Sequence, residues 1–347
     1  MIVNKSQGQL ILIATGIYPP AIGGPAQYAV NVEREWRLKG FKVVVKTFTF
    51  EYFLPTGIRH LFYLGKILPT IWRADFIFIL DTWSVALPVA TACLLLRKKF
   101  VVRTGGDFLW ESYVERTKKP VLLRDFYKTE MQNLSFKERI IFKTTRFVLS
   151  QAKTIIFSTK WQQSIWLEPY CLSSQSMVIV SNYLGTQDQK KTDSPEVHSD
   201  FILVSSSRGL VWKNKGILEK ALAIAQKSNP KLRLFDDNVS YQDFMKVIEK
   251  SQAIILVSLG DISPNMILDG LRFGKPFVCT KECGLYENLK DLGLWVDPLD
   301  SLAIAEAMVE ISKPEVYRSL VDKINSSEYR HSWVEIADEI MLIMTKK

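Results

Sequence analysis

The first 180 residues alternate between short runs of consecutive apolar residues and longer stretches in which apolar positions recur every three to four residues. The runs lie at 10–14, 41–47, 76–80, 100–103, 154–158 and 177–180. A strand covered on both faces reads as such a run, and an amphipathic helix as such a recurrence. The loop after the first run, Gly16-Ile-Tyr-Pro-Pro-Ala-Ile-Gly-Gly-Pro25, leads into a helix predicted over 26–39, with Gly40 placed to end it. Residues 185–200 break the pattern: Gln, Lys, Asp, Ser and Thr dominate, which predicts a linker. The pattern then restarts, with strands at 201–205, 232–235, 253–259, 277–280 and 295–296 and helices at 217–228 and 241–251. A last helix, 332–344, aligns Trp333, Ile336, Ala337, Ile340 and Ile343 on one side.

Strands alternating with helices imply βαβ units and parallel sheets with both faces covered. A length of 347 residues, with 47% hydrophobic, provides for two such cores. The expectation is an α/β chain of two doubly wound domains, 1–185 and 186–331, facing a central cleft, with the helix near 332–347 packing back on the first. The longest apolar run, 85–96, is interrupted by Pro88 and reads as a core helix too short to span a bilayer. The start of the chain has no signal-peptide pattern. The four cysteines (Cys93, Cys171, Cys279, Cys283) lack a neighbouring His that would complete a zinc set, so they read as reduced thiols. These features together predict a cytoplasmic protein.

Charge adds an asymmetry. Residues 1–185 carry 24 Lys and Arg against 12 Asp and Glu, and residues 186–347 carry 21 against 24, making up the net +9. A basic half suits an anionic partner. An anionic membrane surface fits Arg97-Lys-Lys99, Lys118-Lys119 and the amphipathic stretch 137–146, which would place the protein at the inner membrane face. Nucleic acid is excluded as a partner because the basic-plus-aromatic motifs of such binders are missing.

The densest chemistry lies at 261–276, Asp-Ile-Ser-Pro-Asn-Met-Ile-Leu-Asp-Gly-Leu-Arg-Phe-Gly-Lys-Pro. Asp261 follows an apolar run, and Asp269 falls inside a predicted buried helix, where a lone carboxylate needs a structural partner or a ligand. Ser263 as N-cap and Pro264 at the first helical position would start that helix and leave the amides of Asn265 and Met266 facing an anion. Arg208, Lys213 and Lys215 follow the strand at 201–205, where open α/β sheets bind ligands, and could clamp a diphosphate; the plain alternative is a solvated basic loop. Gly23-Gly24 opens a helix and either approaches an anion or makes a tight turn. Asp107 in Gly105-Gly-Asp-Phe-Leu-Trp-Glu111 suits a sugar hydroxyl or a helix cap. Three widely spaced histidines form no metal site, and no Gly-x-Ser-x-Gly elbow occurs.

In this order the motifs resemble a GT-B-fold glycosyltransferase, specifically retaining family 4 (group 1). Tyr18-Pro-Pro-Ala-Ile-Gly-Gly-Pro-Ala26 resembles the family's first loop, and Phe157-Ser-Thr-Lys-Trp161 and Val178-Ile-Val-Ser-Asn182 its strands at the end of the first domain. Asp261-x7-Asp269 with Gly274-Lys-Pro276 resembles the family's Glu-x7-Glu motif and trailing Gly-x-Pro. The resemblance implies sugar transfer with retention from a nucleotide-diphosphate sugar to a glycan or lipid-linked acceptor, in cell-surface polysaccharide or glycolipid synthesis. It implies a hexosyltransferase-type enzyme with no metal or other cofactor. Asp269 would hold the ribose and Asp261 the donor sugar. Arg208 and Lys215 would neutralise the diphosphate, Lys213 being the alternative to Lys215. Gly23 and Gly24 would approach the phosphate or acceptor, and Asp107 the acceptor or reacting sugar. The chain departs from the pattern in carrying Asp at both Glu positions and in a shortened stretch at 229–251. Those departures suit the alternative, a non-catalytic nucleotide-sugar or glycan-binding protein on a degenerate GT-B fold.

Overall fold

A computed structural model of the chain describes residues 8–20, 23–172, 176–185, 200–205 and 209–346. The expected linker falls mostly outside the described residues, as does Arg208.

The first half runs β1 (Leu10–Ala14), α1 (Gly24–Leu38), β2 (Lys42–Lys46), α2 (Thr56–Arg73), β3 (Phe76–Ile79), α3 (Ala86–Leu95) and β4 (Val101–Arg103). It continues through α4 (Phe108–Thr117), α5 (Leu123–Thr129), α6 (Phe136–Gln151), β5 (Thr154–Phe157), α7 (Lys160–Leu167) and β6 (Met177–Ile179). The second half runs β7 (Phe201–Val204), α8 (Lys215–Ser228), β8 (Leu232–Phe235), α9 (Tyr241–Lys250), β9 (Ala253–Leu256) and α10 (Asn265–Arg272). It ends with β10 (Phe277–Thr280), α11 (Tyr286–Leu289), β11 (Leu294–Val296), α12 (Ser301–Ile311), α13 (Pro314–Ser326) and α14 (Trp333–Thr345).

The strands form two sheets, β2-β1-β3-β4-β5-β6 and β11-β10-β9-β7-β8, with every strand pair parallel. Strands such as Ala253–Leu256 are buried at every position, as a sheet with helices on both faces requires. In the second sheet one core packs under α8, α12 and α13 and another under α9, α10 and α11. Gly270 lets α10 close on β9, because a Cβ there would meet Ile254 Cγ1 at 2.6 Å.

The chain divides into two compact units: Met1–Leu109, Leu134–Asn182 and His331–Lys347, and then Trp110–Asn133 and Tyr183–Arg330. In the first, α14 packs on α1, and Trp36 Nε1 donates to the Ala337 carbonyl at 3.1 Å. In the second, the segment 110–133 is held by main-chain and side-chain bonds. Leu123 N–H donates to the Leu259 carbonyl (3.2 Å), and Val211 N–H donates to Glu115 Oε1 (2.7 Å). The boundary thus falls within α4 and not only at the polar stretch near 185, because Trp110 and Leu123 are buried against Trp212 and Gly260 of the second unit.

Candidate active site

In the second sheet the connection after β7 leads outward to β8, while that after β9 leads the other way to β10. Such a switch point leaves a crevice at the carboxyl ends of the strands, where open α/β sheets bind ligands. Three loops of this unit end there.

The first loop follows β7 and carries the short 3-10 turn Val211–Lys213. Asn214 then adopts a left-handed conformation, φ 61° and ψ 34°, and its Nδ2 donates to the carbonyls of Val257 (3.1 Å) and Pro298 (2.6 Å). This reversal sends the two flanking lysines apart. Lys213 Nζ lies 2.7 Å from Asp261 Oδ2 and 4.2 Å from the centre of the Trp212 ring. Lys215 opens α8 and pairs instead with Asp236 at 2.6 Å, half exposed; that carboxylate raises the lysine's pKa.

The second loop follows β9. Leu259 N–H donates to the Trp212 carbonyl at 2.8 Å, tying it to the first loop. Asp261 is laced to the third loop: its N–H donates to the Glu282 carbonyl (2.9 Å), and its carbonyl accepts from Gly284 N–H (3.0 Å). Gly260 is required by space, since a Cβ would stand 2.5 Å from Leu123 Cβ and 3.1 Å from Trp110 Cη2.

Helix α10 then begins at Asn265, with Pro264 as its N-cap. The expected Ser263 cap is not formed; Ser263 stands one residue too early. The Pro264 carbonyl receives Ile267 N–H (3.1 Å) and Leu268 N–H (3.4 Å), so the ladder starts from proline. Asn265 is exposed, while the Met266 side chain joins the core under α10, leaving its backbone as the group a ligand could meet. Gly274 ends the helix at φ 67°, its N–H and that of Lys275 closing onto Leu271 and Gly270.

Asp269, one turn into α10, is buried. Tyr241 OH donates to its oxygens at 3.3 and 3.4 Å, and Arg272 Nη1 lies 3.5 Å away. Burial raises its pKa to about 6, with Arg272 and Tyr241 opposing. The third loop holds Glu282, whose side chain is 1% exposed and faces Arg124 of α5 at 2.7 Å. Neither Glu282 oxygen receives an aligned hydrogen bond, so the contact is one of charge. Burial raises this carboxyl to about 7, with Arg124 opposing.

The first unit has its own switch point, between β1 and β3. Gly23 is the N-cap of α1 and Gly24 its first residue, and the Gly23 carbonyl accepts from Gln27 N–H at 3.1 Å. Asp107 lies after β4, buried, and Trp166 Nε1 donates to its Oδ2 at 2.7 Å. Beside it in sequence, Thr104 Oγ1 donates to Gln162 Oε1 (2.8 Å), and the Arg103 guanidinium stacks 3.8 Å from the Tyr28 ring centre while bonding Asn182.

No family model and no curated protein matches the chain. Solved structures match it in fold. HepE from Anabaena, in complex with UDP and glucose, aligns with a TM-score of 0.66 at 15% identity, over 97% of this chain and 99% of that one. Sucrose-phosphate synthase from Thermosynechococcus elongatus aligns at 0.68 and 11%, over 96% and 98%. WaaG, a glycosyltransferase involved in lipopolysaccharide biosynthesis, aligns at 0.64 and 11%, over 97% and 100%. The fold is GT-B.

In its second GT-B unit the chain gathers Lys213, Asp261, Asp269 and the start of α10 at one switch point. Lys215, which the resemblance implies as a diphosphate ligand with Lys213 as the alternative, pairs with Asp236. Glu282 was not singled out, although a carboxylate two residues beyond a parallel strand is a readable signal. Arg124 had no such signal, because its segment sits in sequence between strands of the first unit. Among the described residues no group of three His, Cys, Asp or Glu could hold a metal ion, and no helix is long and apolar enough to cross a membrane.

Proposed function

We propose that the chain is a glycosyltransferase that moves a sugar, with retention, from a nucleotide-diphosphate sugar to a glycan or lipid-linked acceptor. The observation that carries this reading is the pairing of Lys213 with Asp261 at the GT-B switch point that also presents the buried Asp269. Asp269, held between Tyr241 and Arg272, has two oxygens for the two hydroxyls of a ribose. Asp261 would accept from a hydroxyl of the donor sugar.

In the reaction the bond from the sugar's anomeric carbon to the diphosphate oxygen breaks, and the electron pair leaves with the diphosphate. An acceptor hydroxyl forms the new bond to that carbon, and its proton passes to the departing diphosphate oxygen. Charge accumulates on the departing oxygen, so a positioned cation there lowers the barrier. An ammonium has three donors, and Lys213 commits one to Asp261. The others would meet phosphate oxygens, with no metal called for. HepE, solved with UDP and glucose, supports the donor class. Synthesis of cell-surface polysaccharide or glycolipid is the setting that WaaG suggests.

The test is a thermal-shift panel of nucleotide sugars, followed by release of nucleoside diphosphate and NMR of the product's anomeric proton. Stabilisation by one nucleotide family, turnover and a retained configuration are expected. Stabilisation by no nucleotide overturns the reading, and binding without turnover replaces it with that of a nucleotide-sugar-binding protein.

A further inference from the structure

Helix α2 is apolar on two sides. Tyr63, Ile67 and Ile71 are buried against the first unit's core. On the opposite side Ile58, Leu61, Phe62, Gly65, Pro69 and Trp72 are exposed, and their spacing places them in one stripe. The stripe runs about 21 Å along the helix at the usual rise per residue. Leu61 is 71% exposed and Trp72 67%, and Phe53, in the turn that leads into α2, is 85% exposed. A soluble surface seldom lines up so many large apolar side chains, and a contiguous patch marks an interaction site.

The neighbours of α2 specify the partner. α2 packs on α3, and α3 on α6. Helices α2 and α3 contain no Asp or Glu, and the single one in α6, Glu138, is buried in the capping box of Ser135. Cations remain on the outside: Arg73 at the end of α2, Arg97 and Lys99 after α3, and Lys137 and Lys143 on α6 are exposed. Exposed Leu95 and Phe136 extend the apolar surface onto α3 and α6. An apolar stripe with an aromatic at its end, flanked by cations and with no exposed carboxylate on α2, α3 or α6, matches an anionic bilayer surface, where side chains enter the acyl boundary and cations meet phosphate headgroups; the exposed carboxylate nearby, Asp75, accepts from Leu10 N–H. A second copy of this chain is a poor fit, because a two-fold contact would bring the same cations face to face.

We propose that the outer face of α2, with the flanking ends of α3 and α6, docks on an anionic membrane surface. The inference does not rest on the donor-site reading. It differs from the sequence-level expectation in its centre, which is the uncharged stripe of α2 and not the basic clusters alone.

The test is flotation of the full chain with vesicles of phosphatidylcholine and phosphatidylglycerol, or of phosphatidylcholine alone, at low and high salt. Binding to the anionic vesicles, weakened by salt, is expected. Leu61→Glu with Phe62→Glu should weaken it at least about tenfold, and Arg97→Glu with Lys99→Glu should weaken it on anionic vesicles only. These side chains are exposed, and an unchanged melting temperature checks that both variants fold. Quenching of tryptophan fluorescence by brominated lipid should fall in Trp72→Phe. No flotation, or flotation that ignores both double variants, overturns the proposal. So does self-association lost in Leu61→Glu/Phe62→Glu without vesicle binding, which would show that copies of the chain cover this face.

Discussion

Lys213 Nζ sits 2.7 Å from Asp261 Oδ2, with only 10% and 14% of the two side chains exposed. The pair is held from both sides: Trp212 lies under the ammonium, and the Glu282 and Gly284 backbone grips Asp261. Removing the lysine strands a carboxylate with little water. Lys213→Ala is expected to destabilise by about 2–4 kcal/mol in denaturant titration, and Lys213→Ala with Asp261→Asn by less than the sum. Lys215→Ala, at an exposed pair, should leave stability close to that of the wild type and donor binding in place. A greater loss of donor binding in Lys215→Ala than in Lys213→Ala would reverse the assignment.

Asp269 contributes in the opposite sense. Its pKa in the fold, about 6, stands above its ordinary value of 3.8 because burial disfavours the carboxylate. The protonated form is therefore the one the fold favours. The stabilisation is full below the ordinary value and is lost as pH rises through about 6. Asp269→Asn keeps the site neutral, so its stability advantage should grow between pH 4 and 7, reaching about 3 kcal/mol by the free energy per pKa unit. The same variant should lose nucleotide binding in calorimetry. A site that gains stability when its carboxylate is removed, and loses its ligand, is one kept for function.

Glu282 follows the same logic with a different partner. Its carboxyl rises from 4.5 to about 7 through burial, against the attraction of Arg124. Wild-type stability should therefore decline across that interval, and Glu282→Gln should flatten the decline by up to about 2 kcal/mol after allowance for solvent around the half-exposed arginine. Unfolding midpoints at pH 5 and pH 8 check this. Equal slopes in both proteins would mean that the glutamate keeps its ordinary pKa.

Gly260 tests how the inserted segment supports the loop after β9. A Cβ at this position lies 2.5 Å from the Cβ of Leu123, an atom fixed to the backbone and not the far end of a flexible side chain. Gly260→Ala is expected to cost about 1–3 kcal/mol as overpacking. In the background of Leu123→Gly, which removes the clashing Cβ, the added cost should shrink, a non-additivity that a double-mutant cycle reads directly.

Much of this was legible in the sequence because it rests on local pattern. The strands at 10–14, 76–80 and 277–280 match β1, β3 and β10 within a residue, since apolar runs between loops have few other uses in an α/β chain. The helix bearing Asp269 was legible for the same reason. What escaped depends on contacts across long separations. The divergence of Lys213 and Lys215 hangs on one left-handed Asn214, whose side chain reaches Val257 and Pro298. The start of α10 moved by one residue because proline, not serine, supplies the capping carbonyl. The outer stripe of α2 is invisible to periodicity, which registers apolar positions without saying which of two apolar faces meets the core.

The segment 110–133 emerges between β4 and β5 but belongs with residues 183–330. During synthesis it must wait for its partners. At common elongation rates, of about 5–20 residues per second, that wait lasts roughly ten to forty seconds. Over that interval Trp110 and Leu123 lack the Trp212 and Gly260 they pack against, while β5 already can join the first sheet around them. Translation speed downstream of residue 133, and chaperones that hold exposed aromatic segments, therefore bear on how much of this protein reaches its native state.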